Sequence, residues 1–208
     1  MRSVAWILLT VLLAEGAAAG QDSSGGIKVG PLLSFAGFES SSSINHPSNF
    51  LGLTVGLFYA RKISPVFSIQ PELHFAIKGV ETYDPKMGAD TGQFNYLEIP
   101  LLLNIRSADG ILEFFTGPYV AFLVSHTPLE GHIWTSPYNK LKSNDVGACL
   151  GVRVWLRNTS FELQLLSGFI NILPHYRYPD LGHYNTTLVF QVGYKFLGRS
   201  NGGRILHH

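Results

Sequence analysis

About eight segments of the chain alternate apolar and polar residues with a period of two, and this pattern limits the fold more than any other feature. Successive side chains of a β-strand point to opposite faces, so each segment predicts a strand with one apolar face. Most segments reach the roughly 9 to 11 residues that a tilted strand needs to cross a bilayer. They lie near residues 27–37, 50–61, 66–78, 94–106, 111–123, 144–156, 160–169 and 184–196.

The connections between these segments alternate between long polar stretches and tight turns. The long ones are 38–49, 79–93, 124–143 and 170–183, and the tight ones are 62–65, 107–110 and 157–159. Bacterial membrane barrels have short periplasmic turns and longer extracellular loops. The sequence therefore predicts an all-β chain that forms an eight-stranded antiparallel up-and-down transmembrane β-barrel. Its long loops would be extracellular and both termini periplasmic.

Alternation alone does not say which face of the barrel is wet, but composition does. Charged residues make up 14% of the chain, against about 25% in a typical soluble domain. The polar faces are rich in Gly, Ala and Ser, whereas a soluble barrel needs many charges on its outer surface. This favours a barrel whose apolar face meets lipid. A secreted lipocalin-like barrel that binds an apolar ligand inside is the first alternative.

The N-terminus has the features of a secretory signal peptide. Arg2 precedes an apolar run over 4–14, and Ala17-Ala18-Ala19 offer small residues for cleavage. We therefore divide the chain into a cleaved signal peptide at 1–19, an outer-membrane β-barrel at 20–196 and a short periplasmic tail at 197–208. The single cysteine, Cys149, excludes an intramolecular disulfide.

Charged residues on the predicted lumen-facing sides are nearly matched in sign. Hairpin geometry brings Arg153 close to Glu162 and Arg106 close to Glu113. An ionised group buried in a narrow barrel is costly unless it is paired, and eight strands leave an interior just wide enough for side chains. We therefore predict a structural charge network that fills the lumen and no general diffusion pore, with a polar conduit or gate as the alternative. The network comprises Glu72, Lys78, Glu98, Arg106, Glu113, Arg153, Glu162 and Lys195, with Asp145 nearby.

Neither catalysis nor a metal or cofactor site is predicted. The loop histidines His46, His126, His132, His175 and His183 do not have the spacing of a compact metal site. No Ser-His-acid grouping is expected to be close in space on the lipid-facing side, although an outer-membrane lipid-modifying enzyme is the second alternative. Four loop aromatics either contact a partner or pack within the loops, namely Trp134, Tyr138, Tyr176 and Tyr178.

Three motifs resemble those of the PorT-like outer-membrane β-barrel domain family, often labelled porin-family proteins. They are Gln70-Pro71-Glu72-Leu73, Tyr96-Leu97-Glu98-Ile99-Pro100-Leu101-Leu102 and Gly117-Pro118-Tyr119. The resemblance runs from Gly26 to about Phe196 and implies a small barrel in the outer membrane of a Gram-negative bacterium. One class of the family assists a protein-secretion apparatus. The chain departs from the common pattern because Phe196 is followed by 197–208 rather than ending the chain.

The expected function is that of a non-enzymatic integral outer-membrane barrel that is structural or adhesive, or accessory to envelope transport or secretion. Expected partners are outer-membrane lipid, the barrel-assembly machinery during biogenesis and an envelope protein of unknown identity. Lys and Arg total 15 against 14 Asp and Glu, and this balance gives no sign of a nucleic-acid partner. Pro71, Pro100 and Pro118 fall inside predicted strands, where they are expected to mark bulges or bends.

Overall fold

A computed structural model describes residues 23–36, 46–84, 88–127, 143–170 and 185–197, and they form one antiparallel sheet. The predicted signal peptide and the tail after Leu197 lie outside these residues. Within the described ranges, no helix has the length and apolar character needed to cross a bilayer. The strands are β1 (Ser23–Ala36), β2 (His46–Ser48), β3 (Phe50–Lys62), β4 (Phe67–Asp84), β5 (Gly88–Arg106), β6 (Leu112–Thr127), β7 (Asn144–Leu156), β8 (Thr159–Gly168) and β9 (Asn185–Leu197).

Eight of these strands form a closed barrel, and β2 is a short addition to the edge of β4. Each barrel strand pairs antiparallel with its neighbour in the chain. The last strand, β9, pairs with β1 from Ile27↔Tyr194 to Ala36↔Asn185, which closes the cylinder. The predicted eight-stranded antiparallel up-and-down barrel is therefore confirmed, with every barrel strand at a predicted segment.

The main difference from the predicted strand boundaries is that three strands, β4, β5 and β6, continue into segments predicted as long loops. Strands β4 and β5 stay paired as far as Asp84↔Gly88, so most of the predicted loop 79–93 is strand. Strand β6 also continues to Thr127, which pairs with Gln93. Alternation signals a strand only where one face is apolar. It fades where both faces of a hairpin are polar, so the predicted strands end too early.

The outer wall of the barrel is apolar and the interior is polar. Large hydrophobic side chains on the odd-numbered positions of β3, such as Leu51, Leu53 and Leu57, are exposed. The opposite face of the strands places charged and amide side chains in the buried interior. This is the reverse of a soluble lipocalin-type barrel, whose apolar face is inside. An exposed apolar band around the barrel is what contact with lipid requires.

The three strand prolines do not shift the register, so the expected bulges are not found at these positions. Around Pro71 the pairing of β4 with β5 resumes at His74↔Glu98 in the same register as Pro71↔Leu101. Two residue pairs are skipped there, because proline has no N–H to donate to the ladder. The register shifts lie instead at Gly25/Gly26 against β9 and at Asn95/Tyr96 against β6.

Glycine makes room for large interior side chains at close approaches between strands. A Cβ added to Gly56 would lie 2.6 Å from Nδ1 of His74, and one added to Gly151 would lie 2.4 Å from the Phe115 ring. These distances are far below van der Waals contact. The ring of His74 therefore occupies the space that a side chain at Gly56 would fill, and the small residues of the polar face have a direct packing role.

Candidate functional site: the charged interior

Five buried charged side chains at the centre of the interior come from the inward faces of five barrel strands. Lys28 comes from β1, Glu72 from β4, Glu113 from β6, Arg153 from β7 and Glu162 from β8, and all five are buried. Each lies between two outward-facing apolar residues, so the two-residue period of the strand turns it inward. The barrel thus collects at its centre charges that are far apart in sequence.

Arg153 lies at the centre of this cluster and has no exposed surface. Its Nη2 donates to Oε2 of Glu162 at 3.0 Å, and its Nη1 donates to Oε1 of Gln70 at 3.1 Å. Nη1 also forms a salt bridge with Glu113, and Nη2 is 3.7 Å from Oε1 of Glu72. One guanidinium therefore contacts three carboxylates, so further cations are needed to balance their charge.

Lys28 and Arg106 supply the remaining positive charge. Nζ of Lys28 donates to Oε2 of Glu162 at 2.9 Å and also contacts Glu72. Arg106 donates to Oε2 of Glu113 from Nε at 2.9 Å and from Nη2 at 2.7 Å. The three carboxylates of Glu72, Glu113 and Glu162 are thus matched by the three cations of Lys28, Arg106 and Arg153. We name these six residues the central charge cluster.

His74 extends the central charge cluster towards the long connections. Its Nε2 is 2.7 Å from Oε2 of Glu72, and its Nδ1 is 3.2 Å from Nε2 of Gln191. The Gln191 NH₂ group is a donor only, so Nδ1 accepts and the ring proton lies on Nε2, which donates to Glu72. Both ring nitrogens of His74 thus have polar partners.

A second set of polar contacts lies nearer the long connections. Nζ of Lys78 is 2.6 Å from Oε1 of Glu98 and 5.8 Å from the centroid of the Tyr96 ring. Oδ2 of Asp145 accepts hydrogen bonds from the Tyr119 hydroxyl at 3.1 Å and from Nδ2 of Asn185 at 3.0 Å. Paired polar groups therefore occupy the interior at two positions along the barrel axis, at the central charge cluster and nearer the long connections.

The structure places all eight residues of the predicted network inside the barrel. It brings together Arg153 with Glu162, Arg106 with Glu113, and Lys78 with Glu98. Lys195 is different: no carboxylate among the described residues lies within salt-bridge distance, and its Nζ is 4.9 Å from the centroid of the Trp155 ring. A cation over an indole face is stabilised by the ring quadrupole.

Sequence reasoning missed Lys28, which joins two carboxylates of the central charge cluster. The signal was present, because Lys28 lies between the apolar residues Ile27 and Val29 within a predicted strand. The four predicted loop contacts Trp134, Tyr138, Tyr176 and Tyr178 lie outside the residues that the structure describes.

A Ser-His arrangement of the kind that an outer-wall hydrolase needs does not form on β6. Ser125 pairs with Asn95 and His126 pairs with Phe94, so these consecutive residues point to opposite faces of the sheet. The other described histidine side chain, His74, is buried in the lumen. Across the described strands, no group of three His, Cys, Asp or Glu side chains could hold a metal ion.

A family model described as outer membrane protein beta-barrel domain matches residues 19–173. No curated protein sequence matches the chain. Among solved structures, the chain is similar to the attachment invasion locus protein Ail of Yersinia pestis, solved in complex with the heparin analogue sucrose octasulfate. The identity is 10% and the TM-score 0.51, and the match covers 84% of this chain and 99% of Ail.

Two further solved structures share the fold. The neisserial surface protein NspA has 8% identity and a TM-score of 0.52, with 84% of this chain and 99% of NspA covered. The outer membrane protein OprG of Pseudomonas aeruginosa has 11% identity and a TM-score of 0.50, with 85% of this chain and 97% of OprG covered. At these identities the similarity establishes the fold.

Proposed function

The chain belongs to the outer membrane protein β-barrel domain family, and from this we propose a non-enzymatic, non-conducting barrel whose structural or adhesive role lies at its extracellular end. The observation that carries the proposal is the central charge cluster. Its six side chains reach across the lumen from β1, β4, β5, β6, β7 and β8 and are paired with one another. A solute moving through the barrel would have to separate buried ion pairs, and breaking one is strongly unfavourable.

Non-conduction can be tested directly. The purified full-length protein, refolded in detergent and inserted into a planar bilayer in molar potassium chloride, is expected to give no discrete current steps. Its insertion is checked by protection of the barrel from protease and by a faster gel migration before boiling than after. Reproducible unitary currents from protein that passes both checks would contradict a filled lumen.

The orientation that we propose places the long connections outside the cell. It is supported by the positions of the turns: Ser23 of β1 pairs with Arg61 beside the 63–66 turn, and Thr159 of β8 pairs with Tyr194 near the end of β9. Both ends of the described chain therefore lie on the side of the short turns. Short turns are periplasmic in bacterial barrels.

Cysteine labelling of intact cells tests this orientation. A membrane-impermeant maleimide is expected to label Thr127→Cys, which is exposed at the far end of β6, and not Ala108→Cys in the turn after β5. Both positions are exposed, so both variants should react after the cells are lysed. The native Cys149 is buried and contributes little background. Labelling of Ala108→Cys in intact cells would reverse the proposed orientation.

An adhesive role is supported by a sheet that projects beyond the barrel rim. Beyond Lys78↔Phe94, β4 and β5 remain paired as far as Asp84↔Gly88. Strand β2 pairs with Glu81–Tyr83 of β4, and β6 accompanies β5 to Thr127. Backbone hydrogen bonds hold this four-stranded projection, so it offers a partner a preorganised surface.

We also propose that the chain is a PorT-like member of the family and is accessory to envelope transport or secretion. The support is the location of the motifs. Gln70, Glu72, Glu98 and Tyr119 are among the inward-facing residues of the three motifs, and all four are buried in the lumen. Crosslinking in intact cells followed by identification of the attached envelope protein would separate an accessory role from a purely adhesive one.

A further inference from the structure

A small cavity lies inside the barrel between the central charge cluster and the Lys78–Glu98 ion pair. Its volume is about 10 Å³, which is about the space that a single water molecule needs. Polar side chains from five strands line it. Its lining consists of Thr54, His74, Glu98, Pro100, Gln164, Leu166, Val189 and Gln191.

Three polar atoms of this lining have no hydrogen-bond partner among the described residues. They are Nε2 of Gln164, Oε1 of Gln191 and Oε1 of Glu98. That Glu98 oxygen is nevertheless ion-paired, because Nζ of Lys78 lies 2.6 Å from it. All three side chains are more than nine-tenths buried. Buried polar groups are almost always hydrogen-bonded, so two unpaired amide atoms beside a carboxylate oxygen at one cavity point to a bound polar molecule.

We propose that the cavity binds one internal water molecule. The water would accept a hydrogen bond from Nε2 of Gln164 and donate to Oε1 of Gln191 and Oε1 of Glu98. This gives three hydrogen bonds, which is typical of buried water. A metal cation fits less well, because the Gln164 amide presents N–H groups to the cavity and Lys78 already balances the charge of Glu98.

The water would also complete a path of polar contacts through the lumen. On one side, Gln191 donates to His74, and His74 contacts Glu72 of the central charge cluster. On the other side, Glu98 is paired with Lys78 near the long connections. The bound water would join these two groups, which form no hydrogen bond or ion pair with each other among the described residues, although His74 and Glu98 lie opposite each other on β4 and β5.

Magnetisation transfer from water in the ¹⁵N-labelled, full-length protein tests the site. The Gln164 side-chain amide is expected to give NOE and ROE peaks of opposite sign at the water frequency, as a water bound for longer than nanoseconds does. The Gln93 amide, which lies near the rim, serves as the reference within the same spectrum. Absence of the Gln164 peak in the folded protein would overturn the proposal.

Two variants distinguish a bound water from other sources of the peak. Thr54→Val removes the hydroxyl proton of the cavity and should leave the peak intact, so its loss would assign the signal to Thr54. Val189→Leu fills the cavity and should abolish the peak while the protein still shows the gel shift of a folded barrel. Persistence in Val189→Leu would overturn the site. An anomalous rubidium peak there in crystals grown with rubidium chloride would identify a cation instead.

Discussion

Replacing Arg153 with alanine is expected to lower the free energy of unfolding by about 3 to 5 kcal/mol, the usual cost of removing one partner of a buried ion pair. The effect is large because the guanidinium is fully buried and contacts Glu113, Glu162 and Glu72. Without it, three carboxylates share only Lys28 and Arg106. Urea-induced unfolding of the refolded barrel in lipid vesicles, followed by tryptophan fluorescence and gel migration, measures the change.

Two further variants make this result specific. Lys62→Ala removes an exposed cation at the turn end of β3 and should change stability by no more than about 0.5 kcal/mol. Arg153→Ala combined with Glu162→Ala leaves two carboxylates and two cations in the cluster. The double variant should therefore lose less stability than the sum of the single variants. Simple additivity, or an Arg153→Ala protein as stable as the parent, would contradict a structural role for the ion pairs.

Placing an arginine on the outer wall at Leu150 is expected to destabilise the barrel by about 2 to 4 kcal/mol, as found for lipid-facing positions near the bilayer midplane. Leu150 is 59% exposed and lies at the middle of β7 (Asn144–Leu156). The guanidinium cannot reach water easily from that depth. The same vesicle unfolding experiment provides the measurement.

Leu156→Arg is the matched control, because it changes the same residue type on the same face of the same strand. Leu156 is 58% exposed and is the last residue of β7, beside a short turn. A charge at that level reaches the interface, so the expected cost is about 0 to 1 kcal/mol. Equal effects at Leu150 and Leu156, or variants that remain soluble without detergent, would contradict a lipid-facing wall.

The strands and the orientation of their faces could be predicted from the sequence because a membrane barrel sorts residues by alternation. That sorting identified Glu72, Glu98 and Arg153 as interior residues. The same alternation places Lys28 on an inward face, but Lys28 was not included in the predicted network. The projecting hairpin was missed because neither of its faces is apolar. A strand that extends outside the membrane needs no apolar face, so the alternation of apolar and polar residues no longer identifies it.

The pairing of interior charges was predictable only between adjacent strands. Register across one turn places Arg153 opposite Glu162. Lys28 on β1, however, meets Glu72 on β4 and Glu162 on β8, and Arg153 on β7 approaches Glu72 on β4. Which side chains meet across the lumen depends on strand tilt and on the stagger of the closed sheet. Neither quantity can be derived from a single sequence pattern.

The contact between Lys28 and Glu162 has a consequence for the order of assembly. These residues are 134 positions apart, and they belong to the first and the penultimate strands of the barrel. Contacts between distant parts of a chain form late, because the loop between them must be closed first. Lys28 therefore gains its second carboxylate only once β8 has been placed, near the closure of β9 on β1. A chain truncated before β8 lacks Glu162 and leaves three cations against two carboxylates in the central charge cluster.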